Sequence, residues 1–144
     1  MIVNKAWEFP VPSASMHSNY VNLLHQGYYA LLYFDYFDRQ RNVVLNSGIC
    51  FEGVQAVRHT SEKFILAGTV DADYVSNARD RLVEYQDSEW VAYFRELDRE
   101  TADFWSIRHY GICLDSVGFF EFLASGFKVL ETREGSMDGF RIPQ

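Results

Sequence analysis

The stretch that decides the fold is Arg108-His109-Tyr110-Gly111-Ile112-Cys113-Leu114, followed by Asp115-Ser116-Val117-Gly118 and by Phe119-Phe120-Glu121-Phe122-Leu123-Ala124. It contains two apolar runs of strand length, separated by a short connection of turn-forming residues. This arrangement is typical of a β-hairpin. The sequence therefore predicts an antiparallel pair of strands here, with a sheet built around it.

Two further strands are predicted upstream of the hairpin. From Tyr28 to Phe37 both alternating faces are apolar, as expected of a strand that is covered on both sides. The polar residues 38–42 form a turn, and from Val43 to Glu52 apolar residues then alternate with polar ones. This period of two indicates a strand with one buried face, paired antiparallel with its predecessor.

Between these regions the apolar period changes to that of a helix. Apolar residues recur every three to four positions over about 72–86, and Asp71 is a suitable N-cap. A second helix is predicted over about 88–99, with Asp87 or Ser88 as its N-cap and Trp90 on its apolar face. The sequence thus predicts two consecutive helices before the hairpin.

Strands, two helices and further strands define the predicted fold class as α+β. We expect a mostly antiparallel β-sheet of about five to six strands, with both helices packed on one face. The 144 residues fit a single domain. Pro10 and Pro12 predict an irregular N-terminal arm over 1–19, and the tail 134–144 is expected to fray.

Composition excludes some functions and favours others. The formal net charge is −7, and no cluster of Lys and Arg is present, so we expect no binding to nucleic acid. No apolar run has the ~20 residues of a transmembrane helix and no signal peptide is recognisable, so we expect a cytoplasmic protein without membrane contact. Cys50 and Cys113 lie in apolar runs and are expected to be free thiols.

No established catalytic motif is present in the sequence. The four histidines are widely spaced, and neither a nucleotide-binding glycine pattern nor a Gly-x-Ser-x-Gly nucleophile motif occurs. We therefore expect no metal and no cofactor. The sequence favours a binding role over an enzymatic one, without excluding catalysis, because active sites that arise by convergence need no sequence signature.

Two carboxylates within predicted strands are the main polar candidates. If Leu114 lies opposite Phe119, then Glu121 lies opposite Ile112 and faces the apolar side of the hairpin, and Asp35 has similar surroundings in its own strand. A carboxylate in such a place is paired, or it ionises less readily. Alternatively, each acid meets water or accepts hydrogen bonds from an arginine such as Arg58 or from a tyrosine.

Two functions are compatible with these features. The first is an acidic interaction protein, for example an immunity-type inhibitor of a basic protein, or a protein that self-associates as a homodimer. The alternative is a small-molecule-binding or minor enzymatic protein with an aromatic-lined pocket between sheet and helices. The candidate ligand-binding residues are Tyr33, Asp35, Arg108, Tyr110, Phe120 and Glu121.

Overall fold

The computed structural model describes residues 1–10, 15–16, 21–101 and 106–136, which form two antiparallel sheets and a layer of helices. The strands of these ranges are, in chain order, β1 (Val3–Glu8), β2 (Ser15–Met16), β3 (Asn22–Gln26), β4 (Tyr29–Asp38), β5 (Val43–Glu52), β6 (Ala56–Ser61), β7 (Arg81–Tyr85), β8 (Arg108–Leu114), β9 (Gly118–Ala124), β10 (Gly126–Val129) and β11 (Arg133–Glu134). The helices are α1 (Glu62–Leu66), α2 (Ala72–Ala78) and α3 (Glu89–Leu97). None of them has the length and apolar character needed to cross a membrane.

The strands are divided between two sheets. Sheet A has the order β1-β7-β8-β9-β6, and sheet B has the order β10-β5-β4-β2, with β11 also paired to β5 and β3 also paired to β4. The predicted α+β class and the predicted hairpin, now β8 and β9, are confirmed. The prediction of one sheet with five to six strands is wrong, because the described strands form one sheet of five and another of six.

The main hydrophobic core lies between the two sheets. Alternate residues of the central strands point into it, which is why the apolar pattern has a period of two. Phe51 of sheet B and Phe122 of sheet A stack there with ring centroids 3.8 Å apart. The fully buried residues of this core include Leu32, Phe34, Tyr36, Ile49, Phe51, Ile112, Leu114 and Phe122.

The helices cover the outer face of sheet A, which is the face turned away from sheet B. A second apolar cluster lies beneath them and combines Val75 and Ala78 of α2 with Val83, Cys113 and Phe119 of the sheet. Helices α1 and α3 contact sheet A as well. The predicted position of the helices on one face of a sheet is therefore confirmed, and the order of layers is sheet B, sheet A, helices.

A paired ribbon connects the two sheets at one corner. The chain passes from β5 to β6 through Gly53 and from β9 to β10 through Ser125, whose backbone N–H donates to the Glu52 carbonyl at 2.8 Å. Gly53 has φ of 61°, and a Cβ atom there would lie 2.4 Å from the Ser125 hydroxyl. The bend thus requires glycine, and it keeps β6 beside β9 in sheet A.

The first predicted helix is wrong in its second half. Helix α2 ends at Ala78, Asp80 adopts a positive φ of 55°, and the chain then enters β7 between β1 and β8. Leu82 points into the core between the sheets, whereas Val83 points toward the helices. Because both faces of this strand are buried, no polar alternation marks it as a strand. The second predicted helix is confirmed as α3, with Ser88 as its N-cap.

The predicted N-terminal arm is wrong for Val3–Glu8, because these residues form β1 and pair with β7 at the edge of sheet A. The remainder of the predicted arm includes residues 11–14 and 17–19, which lie outside the described residues. Glu134, the first residue of the predicted frayed tail, pairs with Leu45 in sheet B. Residues 137–144 of that tail also lie outside the described residues.

Candidate functional site

The register of the hairpin determines which side chains share the outer face of sheet A. Leu114 pairs with Gly118 and not with Phe119, so the predicted register is wrong by one residue. Gly118 adopts φ of +138° and continues β9, which leaves a connection of three residues instead of four. Because side chains alternate along a strand, this shift by one residue moves Glu121 to the opposite face.

Glu121 consequently lies on the helix side of sheet A, among polar neighbours. In the register of the sheet it is flanked by Gly111 on β8 and by Arg58 on β6. Arg58 donates two hydrogen bonds to its carboxylate, from Nε at 3.1 Å and from Nη2 at 2.7 Å. The expected alternative, in which the buried acid accepts hydrogen bonds from an arginine, is therefore confirmed for Glu121.

His109 connects this ion pair to a serine on the helix layer. Its Nε2 lies 2.9 Å from Oε1 of Glu121, and its Nδ1 lies 2.8 Å from Oγ of Ser88. We call the four side chains of Arg58, Glu121, His109 and Ser88 the polar network. Glu121, His109 and Ser88 are 3%, 2% and 7% exposed, so three of its four members are buried.

The charge state of Glu121 determines where the protons of the network lie. Burial alone raises the pKa of this carboxyl, but the hydrogen bonds from His109 and Arg58 outweigh burial and hold the pKa below its usual value. The ionised carboxylate is an acceptor only, so in the neutral form of the His109 imidazole the proton lies on Nε2. Its Nδ1 is then an acceptor, and the Ser88 hydroxyl donates to it.

Ser88 is held in place by the start of α3. Its Oγ accepts the backbone N–H of Val91 at 3.1 Å, which is the usual bond of an N-cap serine. The same oxygen is therefore fixed from two sides, by the backbone of the helix and by the imidazole of His109. Local helix capping thus orients the serine toward sheet A.

Aromatic rings surround the imidazole of His109. The ring of Tyr85 lies 4.8 Å from it and the ring of Trp90 lies 5.2 Å from it, measured between centroids. The Arg58 guanidinium also lies over the ring of Trp90, 3.9 Å from the ring centroid, which is a cation–π contact. The Tyr85 hydroxyl donates to the Tyr74 carbonyl at 2.6 Å. These contacts restrict the positions of the imidazole and the guanidinium.

The polar network borders a solvent-open cavity of about 510 Å³ between the outer face of sheet A and helices α2 and α3, which we call the cleft. Tyr74 and Trp90 are its aromatic walls, and most other lining groups are polar. Burial and then the charges of Glu89, Asp71 and Glu121 raise the pKa of Tyr74, as expected of an acidic cavity. The cleft is lined by Arg58, Thr60, Thr69, Val70, Asp71, Tyr74, Ser88, Glu89, Trp90, His109 and Glu121.

The six residues predicted from the sequence do not form one site. Of these six, Glu121 lines the cleft. Tyr110 and Phe120 lie in the core between the sheets at 2% and 4% exposure, and Arg108 donates to Glu84 at 3.3 Å. Tyr33 and Asp35 belong to β4 in sheet B.

Asp35 is another buried carboxylate of a strand, and it lies in a different layer of the fold from the polar network. It alternates with the core residues of β4, so it occupies the outer face of sheet B. Its Oδ2 accepts a hydrogen bond from the Ser136 hydroxyl at 3.3 Å. The core separates it from Glu121, and the two carboxylates therefore do not share a pocket.

Sequence reasoning did not select Ser88, His109 and Arg58 as site residues. The sequence signal that could have found them is Gly118. Because Gly118 is a strand residue and not a turn residue, the register of the hairpin places His109 and Glu121 on the same face. Ser88 was identified as a possible N-cap, but nothing in the sequence connects that cap with a histidine 21 residues later.

No group of His, Cys, Asp and Glu side chains suited to holding a metal ion occurs in the described parts of the chain. Cys50 and Cys113 are free, as predicted. Comparison of the chain with known protein families, with curated proteins and with solved structures finds no significant match.

Proposed function

We propose that the protein binds a small polar molecule, uncharged or cationic, in the cleft. The observation that carries this proposal is the position of the polar network at the border of an open cavity. Buried polar groups cost free energy unless they are hydrogen-bonded, and here they are bonded to one another while still lining open space. A volume of about 510 Å³ is in the range of small-molecule sites.

The charges of the cleft support a ligand that is not an anion. Among the described residues, its lining contains the three carboxylates of Asp71, Glu89 and Glu121 and one guanidinium, that of Arg58. Arg58 is already engaged by Glu121 through two hydrogen bonds. The resulting potential is negative, so it repels phosphates and carboxylates and attracts amines. Tyr74 and Trp90 provide apolar and cation–π contacts for such a ligand.

The test is thermal unfolding of the full chain with a panel of amines, amides, esters and sugars, and with phosphates and carboxylates as the opposite class. A ligand that binds the native state raises the midpoint temperature by mass action. We expect a neutral or cationic compound to raise it in the wild type and in Tyr29→Ala, which removes an exposed aromatic ring of sheet B. We expect Trp90→Ala to lose the shift.

Glu89→Lys, which reverses a charge on the exposed rim of the cleft, tests the same proposal without changing a buried group. It should weaken the binding of cationic ligands in particular. The proposal is overturned if no compound of the panel shifts the wild type at millimolar concentration. It is also overturned if the shift is equal in the wild type, Trp90→Ala and Glu89→Lys.

We also propose, as a second candidate function, that the protein binds a protein partner of basic character. The exposed residues of α3 support this proposal. Tyr93 and Leu97 are 60% and 66% exposed one helical turn apart, and Glu96 and Asp98 flank Leu97 in the sequence. An exposed aromatic with acidic neighbours suits a basic surface. Calorimetric titration with basic proteins encoded near its gene should show binding that weakens with salt and with Tyr93→Lys. Binding unchanged by either would argue against it.

A further inference from the structure

We infer that Ser88, His109 and Glu121 act as nucleophile, general base and orienting carboxylate in the hydrolysis of carboxylic esters. The inference rests on the proposed function, because the ester would be the small neutral or cationic molecule of the cleft. All three residues line the cavity, and consecutive side chains are joined by contacts of 2.8 Å and 2.9 Å. A nucleophile bonded to a base that a third group orients is the general arrangement of covalent catalysis by serine.

The protons of the network have the positions that this chemistry requires. In the neutral imidazole, Glu121 accepts the Nε2 hydrogen of His109 across the 2.9 Å contact, which leaves Nδ1 to accept the proton of Ser88 across the 2.8 Å contact. When Ser88 loses its proton, the imidazole becomes a cation beside an ionised carboxylate, and this contact stabilises it. Arg58 is a positioning residue, because its two hydrogen bonds keep Glu121 ionised and oriented.

Helix capping alone does not account for the arrangement around Ser88. An N-cap needs an oxygen that accepts the Val91 N–H, and it has no use for the hydroxyl proton. In this chain that proton is directed to an imidazole, whose other nitrogen is bonded to a buried, arginine-paired carboxylate. The capping bond also holds the oxygen at the start of α3, where first-turn N–H groups have no intrahelical acceptor and can stabilise an oxyanion.

The reaction balances with water as the only co-reactant. The Ser88 oxygen forms a bond with the ester carbonyl carbon while its proton passes to His109 Nδ1. The bond from the carbonyl carbon to the alcohol oxygen then breaks, and the departing alcohol takes the proton from Nδ1. A water molecule attacks the acyl-serine, gives a proton to Nδ1 and releases the carboxylic acid as Ser88 regains its proton. The products are one alcohol and one acid.

The experiment combines covalent labelling with ester hydrolysis on the full chain. A fluorophosphonate, which reacts with activated serines, is expected to modify Ser88, with the adduct located by mass spectrometry of peptides. The wild type is expected to hydrolyse p-nitrophenyl acetate, and Ser88→Gly to reduce this rate to background. Glycine is a tolerated N-cap, so the variant should still fold. The matched control is Ser61→Gly, at the N-cap of α1, where the serine makes no side-chain capping bond.

Glu121→Gln separates a catalytic carboxylate from a structural one. It should lower the hydrolysis rate by about 100-fold or more, the usual contribution of acid–base catalysis, and change the pH profile of the remaining activity. The inference is overturned if Ser88 gains no adduct and the wild type is no faster than Ser88→Gly. It is also overturned if the adduct forms on another residue. If ligands of the cleft still raise the midpoint temperature in that case, the proposed binding function stands and only the catalytic inference fails.

Discussion

The two faces of the β8–β9 hairpin are equally buried but differ in chemistry. Toward sheet B it presents apolar side chains such as Ile112 and Phe122, and toward the helices it presents His109 and Glu121. Each of these four residues is no more than 3% exposed. The inner face is stabilised by close packing, and the outer face tolerates charge because each polar group there has a partner. Burial therefore does not predict polarity in this protein.

The largest effect is expected from Phe122→Ala on the inner face. Phe122 is fully buried and stacks on Phe51, so its removal leaves a cavity between the sheets. The free energy of unfolding should fall by about 3–5 kcal/mol. Chemical denaturation followed by circular dichroism measures this change.

Phe122→Leu is the control for that measurement, since it keeps an apolar side chain and should cost clearly less. A loss below about 1 kcal/mol for Phe122→Ala would contradict the close packing of the two sheets. It would mean that the inner face contributes no more to stability than an ordinary surface position.

Gly111→Ala should have the next largest effect, and it acts on the outer face. A Cβ atom at this position would lie 2.7 Å from the Tyr85 ring and 2.9 Å from the Phe119 ring. Overpacking of this kind costs about 1–3 kcal/mol. Because Tyr85 packs against His109, we also expect the change to disturb ligand binding in the cleft.

A matched Gly126→Ala substitution controls for the loss of a glycine. Its added Cβ would lie within 4 Å of no described residue other than its chain neighbours, so the stability of this variant should stay within about 0.5 kcal/mol of the wild type. Equal stability of the two variants in thermal unfolding would show that the outer face has room beside Glu121.

The strands with one covered face were predictable from the sequence, and the strands with two covered faces were only partly so. In β5 apolar residues alternate with polar ones, and its predicted bounds agree with the structure at Val43–Glu52. In β7 both faces are buried, and the spacing of Tyr74, Ala78, Leu82 and Tyr85 imitates a helix instead. Periodicity contains information about a strand only where one side meets a polar environment.

The candidate site depended on a register that periodicity could not determine. All seven residues of β9 are buried, so a shift by one residue leaves the apolar pattern equally plausible. Gly118 pairs with Leu114 of β8 and with Ser61 of β6, which makes it a strand residue rather than a turn residue and fixes the register. Its φ of +138° is one that residues with a side chain rarely adopt. A Cβ atom at Gly118 would lie 2.3 Å from the Thr60 carbonyl of β6. A pocket between sheet and helices was predicted from the sequence, whereas most of the residues that line the cleft were not.

Glu121→Gln at varied pH should show a smaller effect, specific to the charge on the outer face. Because the pKa of Glu121 is lowered in the folded protein, its ionisation stabilises the protein above pH ~4.5. This stabilisation is lost as the pH falls through the folded pKa. The wild type should therefore be more stable by about 1–2 kcal/mol at pH 7, and the difference should shrink toward pH 3. Urea denaturation at several pH values measures it.

Glu134→Gln is the control for the pH series, since Glu134 pairs with Arg41 at the surface and its side chain is 68% exposed. Such surface pairs contribute little to stability, so this variant should follow the wild type at every pH. A constant difference between wild type and Glu121→Gln from pH 7 to pH 3 would contradict the lowered pKa of Glu121.

The smallest effect concerns the two free cysteines, which report how well each sheet is covered on its outer face. Burial raises the pKa of Cys113 to about 11 beneath the helices, whereas Cys50 lies partly exposed on sheet B with a smaller burial-driven rise of its pKa. Because the thiolate is the reactive form, iodoacetamide at pH 8 should alkylate Cys50 well before Cys113. Mass spectrometry of peptides over time measures both rates, and in denaturant the rates should become similar. If Cys113 reacts as fast as Cys50 in the native protein, the helix layer opens readily, and the outer face of the hairpin is then less protected than the inner one.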